Sequence, residues 1–357
     1  MLDYKKIFSL EPYALSQEKK DIWYFNKIKK LSLHHYRNCK EYKLITDKLF
    51  QKIDMAKKIY DLPYTHVEIF KNFNLSTKGR NNISENKVFE SSGTSNSVKS
   101  KINLSRENAI LQSLALKNIL INFFKSKKKK IFFTESSDLI KNKDVHSAKS
   151  AGIQGFRQFA EEHEFLIDEN QNLKIEVLKN FIDQNPEEEF FIFGFTSSVW
   201  QNLLEKLKAK NIFLKKNKGI LIHGGGWKKL ENKKISRRDF NENVKKIIGV
   251  SKSHNYYGMV EQTGSIYFEC ENEFFHTSIY SDIFFRDKNL NILKKDKIGL
   301  IQTLSLLPVS YPGHNILTED IGALAGIDDC LCGRKGKYFV IKGRAPNTES
   351  RGCSDVH

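Results

Sequence analysis

A short hydroxyl-rich loop between Phe89 and Lys101 carries the side chains with the clearest chemistry. Its sequence is Phe-Glu-Ser-Ser-Gly-Thr-Ser-Asn-Ser-Val-Lys-Ser-Lys. Gly93 lets the backbone approach a ligand closely, while the hydroxyls and the amine of Lys99 or Lys101 can bind phosphate oxygens. Such a loop can wrap a polyphosphate, but a flexible surface loop can have the same composition. The loop therefore needs partners elsewhere in the chain.

Four further segments can complete a nucleotide site. They are His223-Gly-Gly-Gly-Trp-Lys228, Tyr256-Tyr-Gly-Met-Val-Glu-Gln-Thr-Gly264, Leu317-Thr-Glu-Asp-Ile-Gly322 and Lys342-Gly-Arg344. The glycines let a ligand lie on the backbone, and the tyrosine offers its ring to a flat base. The carboxylates suit Mg²⁺ and a ribose diol, and the arginine offers a fixed guanidinium. Taken singly, each segment is also typical of an ordinary turn or strand end.

Apolar strands that alternate with helices must position these segments. We expect helices at about 105–124, 148–163, 197–210 and 236–248, and strands at Ile131–Thr134, Phe190–Phe193 and Gly219–Ile222. This alternation predicts an α/β fold with a largely parallel sheet covered by helices. Function in such sheets gathers at the carboxyl ends of the strands.

The two ends of the chain have a different texture. Residues 1–80 predict an N-terminal helical layer, with helices near 17–30 and 41–60. Short strands with turns after residue 265 predict a β-rich part. We therefore divide the chain into a helical layer with an α/β core, residues 1–264, and a β-rich part with a tail, residues 265–357.

Length and composition limit the class of protein. The 357 residues are 39% hydrophobic with six prolines, which favours a folded core over extensive disorder. No run of about 18 apolar residues predicts a membrane span, and the N-terminus lacks the apolar core of a signal peptide. A cytoplasmic location is expected. The formal charge of +17 fits nucleic-acid binding or a solvated lysine-rich surface, and we favour the surface.

In order and spacing, the five segments resemble the adenylate-forming superfamily, and most closely the LuxE-like acyl-protein synthetases of bacterial luminescence operons. The stretches that carry this resemblance include Ser91-Ser-Gly-Thr94, His223-Gly-Gly-Gly-Trp-Lys228, Gly258-Met-Val-Glu-Gln262, Ser310-Tyr-Pro-Gly-His314, Leu317-Thr-Glu-Asp320 and Arg351-Gly-Cys-Ser354. The resemblance implies the N-terminal-domain fold of these enzymes, without their small C-terminal lid domain. It also implies ATP-dependent activation of a carboxylic acid to acyl-AMP and transfer of the acyl group to a thiol.

The resemblance assigns roles to individual residues. Ser91, Ser92, Gly93 and Thr94, with Lys99, would hold the phosphates, and Glu261 with Thr94 would hold Mg²⁺. Gly224, Gly225 and Gly226 would line the adenine and acyl pocket. Tyr257 would stack on adenine, Asp320 and Arg344 would bind the ribose, and Cys353 would accept the acyl group.

The loop departs from the superfamily pattern, because Ser95-Asn-Ser-Val-Lys-Ser100 replaces the usual Thr-Gly-x-Pro-Lys-Gly. The lysine of the missing lid also needs a replacement that offsets charge in the transition state. Mg²⁺, Lys99, Lys101 and His223 are the candidates. Without the lid, an internal or protein-borne thiol is favoured over free coenzyme A.

Cys353 has two interpretations. Beside Arg351 its thiolate would be favoured, and the thiolate is the nucleophile that captures an acyl group. An ordinary exposed cysteine in a fraying tail is the alternative.

A second set of residues suits a metal. Cys270, His276, Cys330 and Cys332 supply four ligands for a closed tetrahedral Zn²⁺ site, which would be structural. The arrangement is similar to one in phenylacetate-CoA-ligase-like relatives. Two unrelated turns with buried thiols are the alternative.

The sequence therefore predicts an acid–thiol ligase that uses ATP and Mg²⁺ to load a fatty or related acid onto a cysteine, then onto an acyl reductase or acyl carrier protein. One alternative is a ligase that loads coenzyme A or a carrier directly. The other is a non-catalytic protein that binds nucleotides or nucleic acid. The first prediction involves neither nucleic acid nor a membrane span.

Overall fold

Two six-stranded sheets carry the fold in the part of the chain that the computed structural model describes, residues 2–78, 87–90, 99–125, 129–141, 148–227 and 235–346. The helices are α1 (Tyr4–Phe8), α2 (Gln17–Asn38), α3 (Lys40–Leu49), α4 (Ile69–Asn72), α5 (Arg106–Phe124), α6 (Asp138–Lys141), α7 (Ala148–Phe159), α8 (Ile175–Gln184), α9 (Thr196–Ser198), α10 (Glu205–Ala209) and α11 (Arg237–Ile248). The strands are β1 (Thr65–His66), β2 (Lys87–Glu90), β3 (Lys101–Leu104), β4 (Lys129–Ser136), β5 (Ala160–Ile167), β6 (Phe190–Phe195), β7 (Gly219–Gly224), β8 (Lys252–Tyr257), β9 (Tyr267–Phe268), β10 (Phe275–His276), β11 (Ser281–Arg286), β12 (Gly299–Ser305), β13 (Asn315–Ile327) and β14 (Lys337–Arg344). None of the helices described here combines the length and the apolar character needed to cross a bilayer.

The central sheet has the strand order β5-β4-β6-β7-β8-β9. Its first five strands are parallel, and β9 pairs antiparallel with β8. Every residue of β6 and β7 is buried, because helices cover both faces of the sheet. Continuous apolar runs are what such doubly covered strands require. The predicted α/β fold with a parallel sheet is confirmed.

The second sheet has the order β10-β14-β13-β12-β11 and is antiparallel along this path. It forms from the region after residue 265, as predicted. Its sixth strand, β1, comes from the N-terminal segment and pairs parallel with β13. The proposed division of the chain at residue 264 stays a prediction.

Two predicted helices are too long. The helix expected over 148–163 ends at Phe159, and the chain continues as the edge strand β5. This strand is charged at its start, but its Phe165 stacks on Phe133 of β4 with ring centroids 5.1 Å apart. The helix expected over 41–60 ends at Leu49, and short 3₁₀ turns follow it. In the first case, packing against the sheet makes residues 160–163 a strand, although their local sequence pattern predicts a helix.

A buried histidine pair fixes α2 to the loop between β12 and β13. The rings of His35 and His314 stack with centroids 4.7 Å apart. His314 Nε2 lies 2.9 Å from the Ser32 hydroxyl, and His35 Nδ1 lies 2.8 Å from the Thr77 hydroxyl. Burial lowers the pKa of His314 to about 3, and burial followed by His314 lowers the pKa of His35 well below its usual value. Both rings are therefore neutral at pH 7.

We expect the protein to lose stability as the pH falls below about 6.5. The unfolded chain binds protons at these histidines near pH 6.5, whereas the folded chain resists protonation down to about pH 3 for His314. Stability is thus fully present above pH 6.5 and is lost towards pH 3. Between pH 7.5 and 5.5 each such histidine should cost about 1.4 kcal/mol.

Urea unfolding of the wild type and His314→Asn at these two pH values measures the effect. The variant should lose less stability than the wild type between them, by about 1.4 kcal/mol. Equal losses in the two proteins would contradict the assignment to His314.

Candidate active site and metal centre

Residues from both sheets meet at one polar cluster. Tyr257 ends β8, while Asp320 and Arg344 are register partners on β13 and β14. The Tyr257 hydroxyl donates to Asp320 Oδ2 at 2.7 Å. Arg344 Nε lies 3.8 Å from Asp320 Oδ1, and the same guanidinium pairs with Glu319 at 2.5 Å. Burial, followed by the charge of Asp320, raises the pKa of Tyr257, so the phenol remains a donor.

Glu261 belongs to the same cluster. It lies in the 3₁₀ turn Val260–Gln262 that follows β8, and it is 3% exposed. Burial raises the pKa of Glu261, the nearby Ser100 hydroxyl opposes this, and the charges of Asp320 and Arg344 act in opposite directions. A carboxylate that burial holds out of water gains strongly from a divalent cation.

The turn that carries Glu261 is held in place by contacts with the β12 strand and the β12–β13 loop. The side-chain amide of Gln262 donates to the carbonyl oxygens of Thr303 at 3.1 Å and Gly313 at 2.9 Å. A Cβ on Gly313 would come 2.4 Å from the Glu261 carbonyl oxygen, so only glycine allows this approach. Both sheets thus position Glu261.

The hairpin β2–β3 brackets the predicted phosphate loop. Ser91, Ser92, Gly93 and Thr94 lie outside the described residues. The residues on either side are described: Lys99 Nζ lies 3.4 Å from Glu90 Oε2. Ser100, which follows Lys99, is buried and lies close enough to Glu261 to affect its pKa. The end of the loop therefore lies beside the carboxylate that is proposed to hold Mg²⁺.

His223 is placed by β7 and is shielded from solvent. Its Nδ1 lies 2.9 Å from the Thr196 hydroxyl, which also donates to the Gly224 carbonyl at 3.2 Å. Burial, then the charge of Arg237, lowers the pKa of His223 to about 3. The ring is therefore neutral at pH 7 and acts as a hydrogen-bonding group there. A catalytic role for His223 stays a prediction.

The glycines after His223 meet a real steric requirement. A Cβ on Gly224 would come 2.7 Å from the Tyr256 carbonyl oxygen. Gly225 and Gly226 have positive φ values of 79° and 63°, which side chains rarely adopt. The chain can therefore leave β7 in a tight turn at the carboxyl edge of the sheet.

Two polar residues at this edge, Glu135 and Lys149, did not stand out in the sequence. Glu135 lies near the end of β4, and its Oε1 is 3.3 Å from Lys149 Nζ. Lys149 Nζ is also 3.3 Å from the Ser198 hydroxyl. Glu135 directly follows the predicted strand Ile131–Thr134, so its place at a strand end was a signal that could have found it.

The four predicted metal ligands come together, although Cys330 lies 60 residues after Cys270 in the chain. The candidate ligand atoms of Cys270, His276, Cys330 and Cys332 all lie within 4.8 Å of one another. Cys270 Sγ is 3.9 Å from Cys330 Sγ, and Cys332 Sγ is 3.3 Å from His276 Nε2. Three of the four residues are buried. Three sulfurs and one imidazole in this arrangement match the ligands and coordination number of structural Zn²⁺.

Of the predicted catalytic and binding residues, Tyr257, Glu261, Asp320 and Arg344 are brought together. Gly224 ends β7, the strand next to β8, and Lys99 lies two residues before β3. Cys353, like Ser91–Thr94, lies outside the described residues, and its role stays a prediction.

Comparison with known proteins agrees with this architecture. The chain matches the family model of acyl-protein synthetase, LuxE, over residues 2–357. An open conformation of 2-hydroxyisobutyryl-CoA ligase, in complex with 2-HIB-AMP and CoA, has a TM-score of 0.71 at 13% identity, covering 95% of this chain and 73% of that one. The same ligase in its thioesterification state has a TM-score of 0.69 at 14% identity, covering 95% and 71%. A search of curated proteins found no match.

At such low identity the solved structures show the fold, which is that of adenylate-forming enzymes. The family match spans nearly the whole chain and identifies its chemistry as ATP-dependent activation of an acid through acyl-AMP. The chain belongs to the LuxE family of acyl-protein synthetases.

Proposed function

We propose that the protein activates a fatty or related carboxylic acid as acyl-AMP, transfers the acyl group to the thiol of Cys353, and then delivers it to a partner protein. The observation that supports this most directly is the convergence of Tyr257, Glu261, Asp320 and Arg344 in a chain of this family. A base-binding aromatic residue, a metal-binding carboxylate and a ribose acceptor are what an ATP site needs.

In the first step a substrate carboxylate oxygen attacks the α-phosphorus of ATP, and pyrophosphate leaves with the bonding electron pair. Asp320 would accept hydrogen bonds from the ribose, with Arg344 beside it. Glu261 and Thr94 would hold Mg²⁺, which when bound offsets the phosphate charge. Ser91, Ser92, Gly93 and Lys99 would contact the phosphates, and Gly224–Gly226 would line the adenine and acyl pocket.

Tyr257 would contribute in two ways. Its ring is assigned to adenine, and its hydroxyl holds Asp320. The ring is 1% exposed and packs near Tyr267, with centroids 5.8 Å apart. Stacking on adenine therefore requires the ring to be uncovered when the nucleotide binds.

In the second step the Cys353 thiolate attacks the acyl carbon, and AMP leaves with the bonding electron pair. The thioester keeps the acyl group activated for a partner, for which an acyl reductase or an acyl carrier protein is proposed. The surplus of 59 basic over 42 acidic residues favours an acidic partner.

We expect Cys353→Ala to retain exchange of pyrophosphate into ATP and to lose acylation of the protein. The substitution removes the nucleophile of the second step and leaves the first step intact. Exchange across a panel of carboxylic acids and labelling of the protein by radioactive acid measure the two steps. Cys39→Ala, a buried cysteine elsewhere in the chain, is the control.

Each rival predicts a different result. If the protein loads coenzyme A or a carrier directly, the Cys353→Ala variant would still form and release its product normally. A non-catalytic nucleotide- or nucleic-acid-binding protein would give no exchange that depends on an acid. Persistent labelling of the variant would remove Cys353 from the scheme.

We also propose that Cys270, His276, Cys330 and Cys332 hold a structural Zn²⁺. This proposal is supported by the distances between their candidate ligand atoms, all of which are within 4.8 Å. Four protein ligands would leave no position open for substrate, so the ion would link the turn after β9 to the β13–β14 loop.

A further inference from the structure

A row of residues crosses the carboxyl edge of the central sheet on the face that α7 covers. Register pairs Phe195 of β6 with Gly224 of β7, and Gly224 with Tyr256 of β8. Glu135 lies two residues beyond Phe133, the last residue of β4 in register with β6. Lys149 connects Glu135 to this row, since its Nζ is 3.3 Å from Glu135 Oε1 and 5.0 Å from the centroid of the Phe195 ring. The register partners Phe195, Gly224 and Tyr256 face the same side of the sheet, and Glu135 joins this row through Lys149.

The wall of this row is mostly aromatic. The rings of Phe193 and Tyr256 stack with centroids 6.0 Å apart, and Phe195 is 6% exposed. Gly152 of α7 covers them, since a Cβ there would meet Phe195 at 3.5 Å and the Tyr256 hydroxyl at 3.7 Å. The row therefore combines an apolar wall with the glycine that is proposed to line the acyl pocket.

Two charged residues, Glu135 and Lys149, lie at one end of this aromatic wall. The Glu135 side chain is 8% exposed and pairs with Lys149, whose side chain is 27% exposed. Lys149 Nζ also donates to Ser198 Oγ and lies 5.0 Å above the Phe195 ring. Burying the Glu135–Lys149 pair costs desolvation free energy, whereas apolar residues of the same size would not incur this cost. The pair is therefore better explained by binding of a ligand than by a contribution to stability.

Counting only partners in the described part of the chain, this cluster has hydrogen-bonding capacity left. Within the described residues, Lys149 is the one donor to the Glu135 carboxylate, and Glu135 and Ser198 take two of the three protons of Lys149. A second carboxylate would be repelled by Glu135, and an ammonium group by Lys149. A hydroxyl can donate to Glu135 and accept from Lys149 at once.

We propose that Glu135, Lys149 and Ser198 bind a hydroxyl group on the acyl chain, so that the preferred substrates are hydroxy acids. This inference rests on the proposed function, because it takes Gly224 as the acyl end of that site. β4, which carries Glu135, is two strands from β7, which carries Gly224, a spacing of about 10 Å, and Lys149 lies over the ring of Phe195 on the strand between them. The hydroxyl would therefore be near the carboxyl end of the acid.

Pyrophosphate exchange with octanoic, 2-hydroxyoctanoic and 3-hydroxyoctanoic acids tests the proposal. We expect at least one hydroxy acid to exceed octanoic acid by about tenfold or more in kcat/KM, because its hydroxyl would add hydrogen bonds to the charged Glu135 and Lys149 that octanoic acid cannot make. The double variant Glu135→Leu/Lys149→Met should lose this preference. It removes both charges together, so neither is left buried alone.

The control is Lys130→Met/Glu162→Leu, an ion pair at the opposite end of β4 with Nζ and Oε2 3.1 Å apart. It should keep the preference of the wild type. Equal kcat/KM for all three acids, or a preference that survives in the Glu135→Leu/Lys149→Met protein, would overturn the inference and leave the proposed function intact. An absence of exchange with every acid would overturn both.

Discussion

Asp320→Asn should reduce kcat/KM for ATP in pyrophosphate exchange by about 100-fold or more. The carboxylate is 5% exposed and receives the Tyr257 hydroxyl at 2.7 Å. A ribose diol would add hydrogen bonds to the same charged group, each contributing about 1.5–3 kcal/mol. Asparagine keeps the size of the side chain but removes the charge and places an NH₂ group where an acceptor is needed.

The Tyr257→Phe variant tests how much the position of Asp320 matters, because it leaves the charge of Asp320 in place. The ring and its packing remain, and only the hydroxyl that holds Asp320 is lost. We expect a smaller reduction, about tenfold, in kcat/KM for ATP. Asp287→Asn, in an exposed turn where Asp287 receives hydrogen bonds from Asn291, is a control for the substitution itself and should leave exchange unchanged. Normal exchange by Asp320→Asn would remove the ribose assignment, and with it the proposed position of the nucleotide.

The sequence predicts the central sheet well because its strands carry their own signal. Phe190–Phe193 and Gly219–Ile222 are uninterrupted apolar runs, and each lies within a strand buried on both faces. The edge strand β5 was hidden because Glu161, Glu162 and Glu164 suit an exposed helix as well as an exposed strand edge. Only its contacts with β4 decide between these structures.

The cluster of Tyr257, Glu261, Asp320 and Arg344 was predictable for a different reason. Its members follow short motifs whose order resembles that of a known family, so their approach in space did not have to be worked out from local pattern. Lys149 had no such motif, and its pairing with Glu135 and Ser198 depends on how α7 lies across the ends of β4 and β6. Long-range contacts of this kind leave no mark on periodicity or composition.

The Cys/His cluster leads to the second large expected effect, which is on stability. The turn at Cys270 and the loop at Cys330 join different parts of the β-rich region, and their sulfurs are 3.9 Å apart. An ion bound there would cross-link them, and its binding free energy would be available only to the folded chain. We therefore expect one equivalent of zinc in protein purified without a metal-affinity step.

Cys330→Ser should lose the zinc and lower the free energy of unfolding by about 3 kcal/mol or more, since loss of a metal is among the few single changes with so large a cost. Metal content by mass spectrometry and the thermal unfolding midpoint measure the two effects. Cys39→Ala, which removes a sulfur that is 2% exposed but lies outside the cluster, should keep the zinc and cost only about 1 kcal/mol. Folded wild-type protein that contains no zinc, or a Cys330→Ser variant with the metal content and midpoint of the wild type, would show that the four side chains are packed together for another reason.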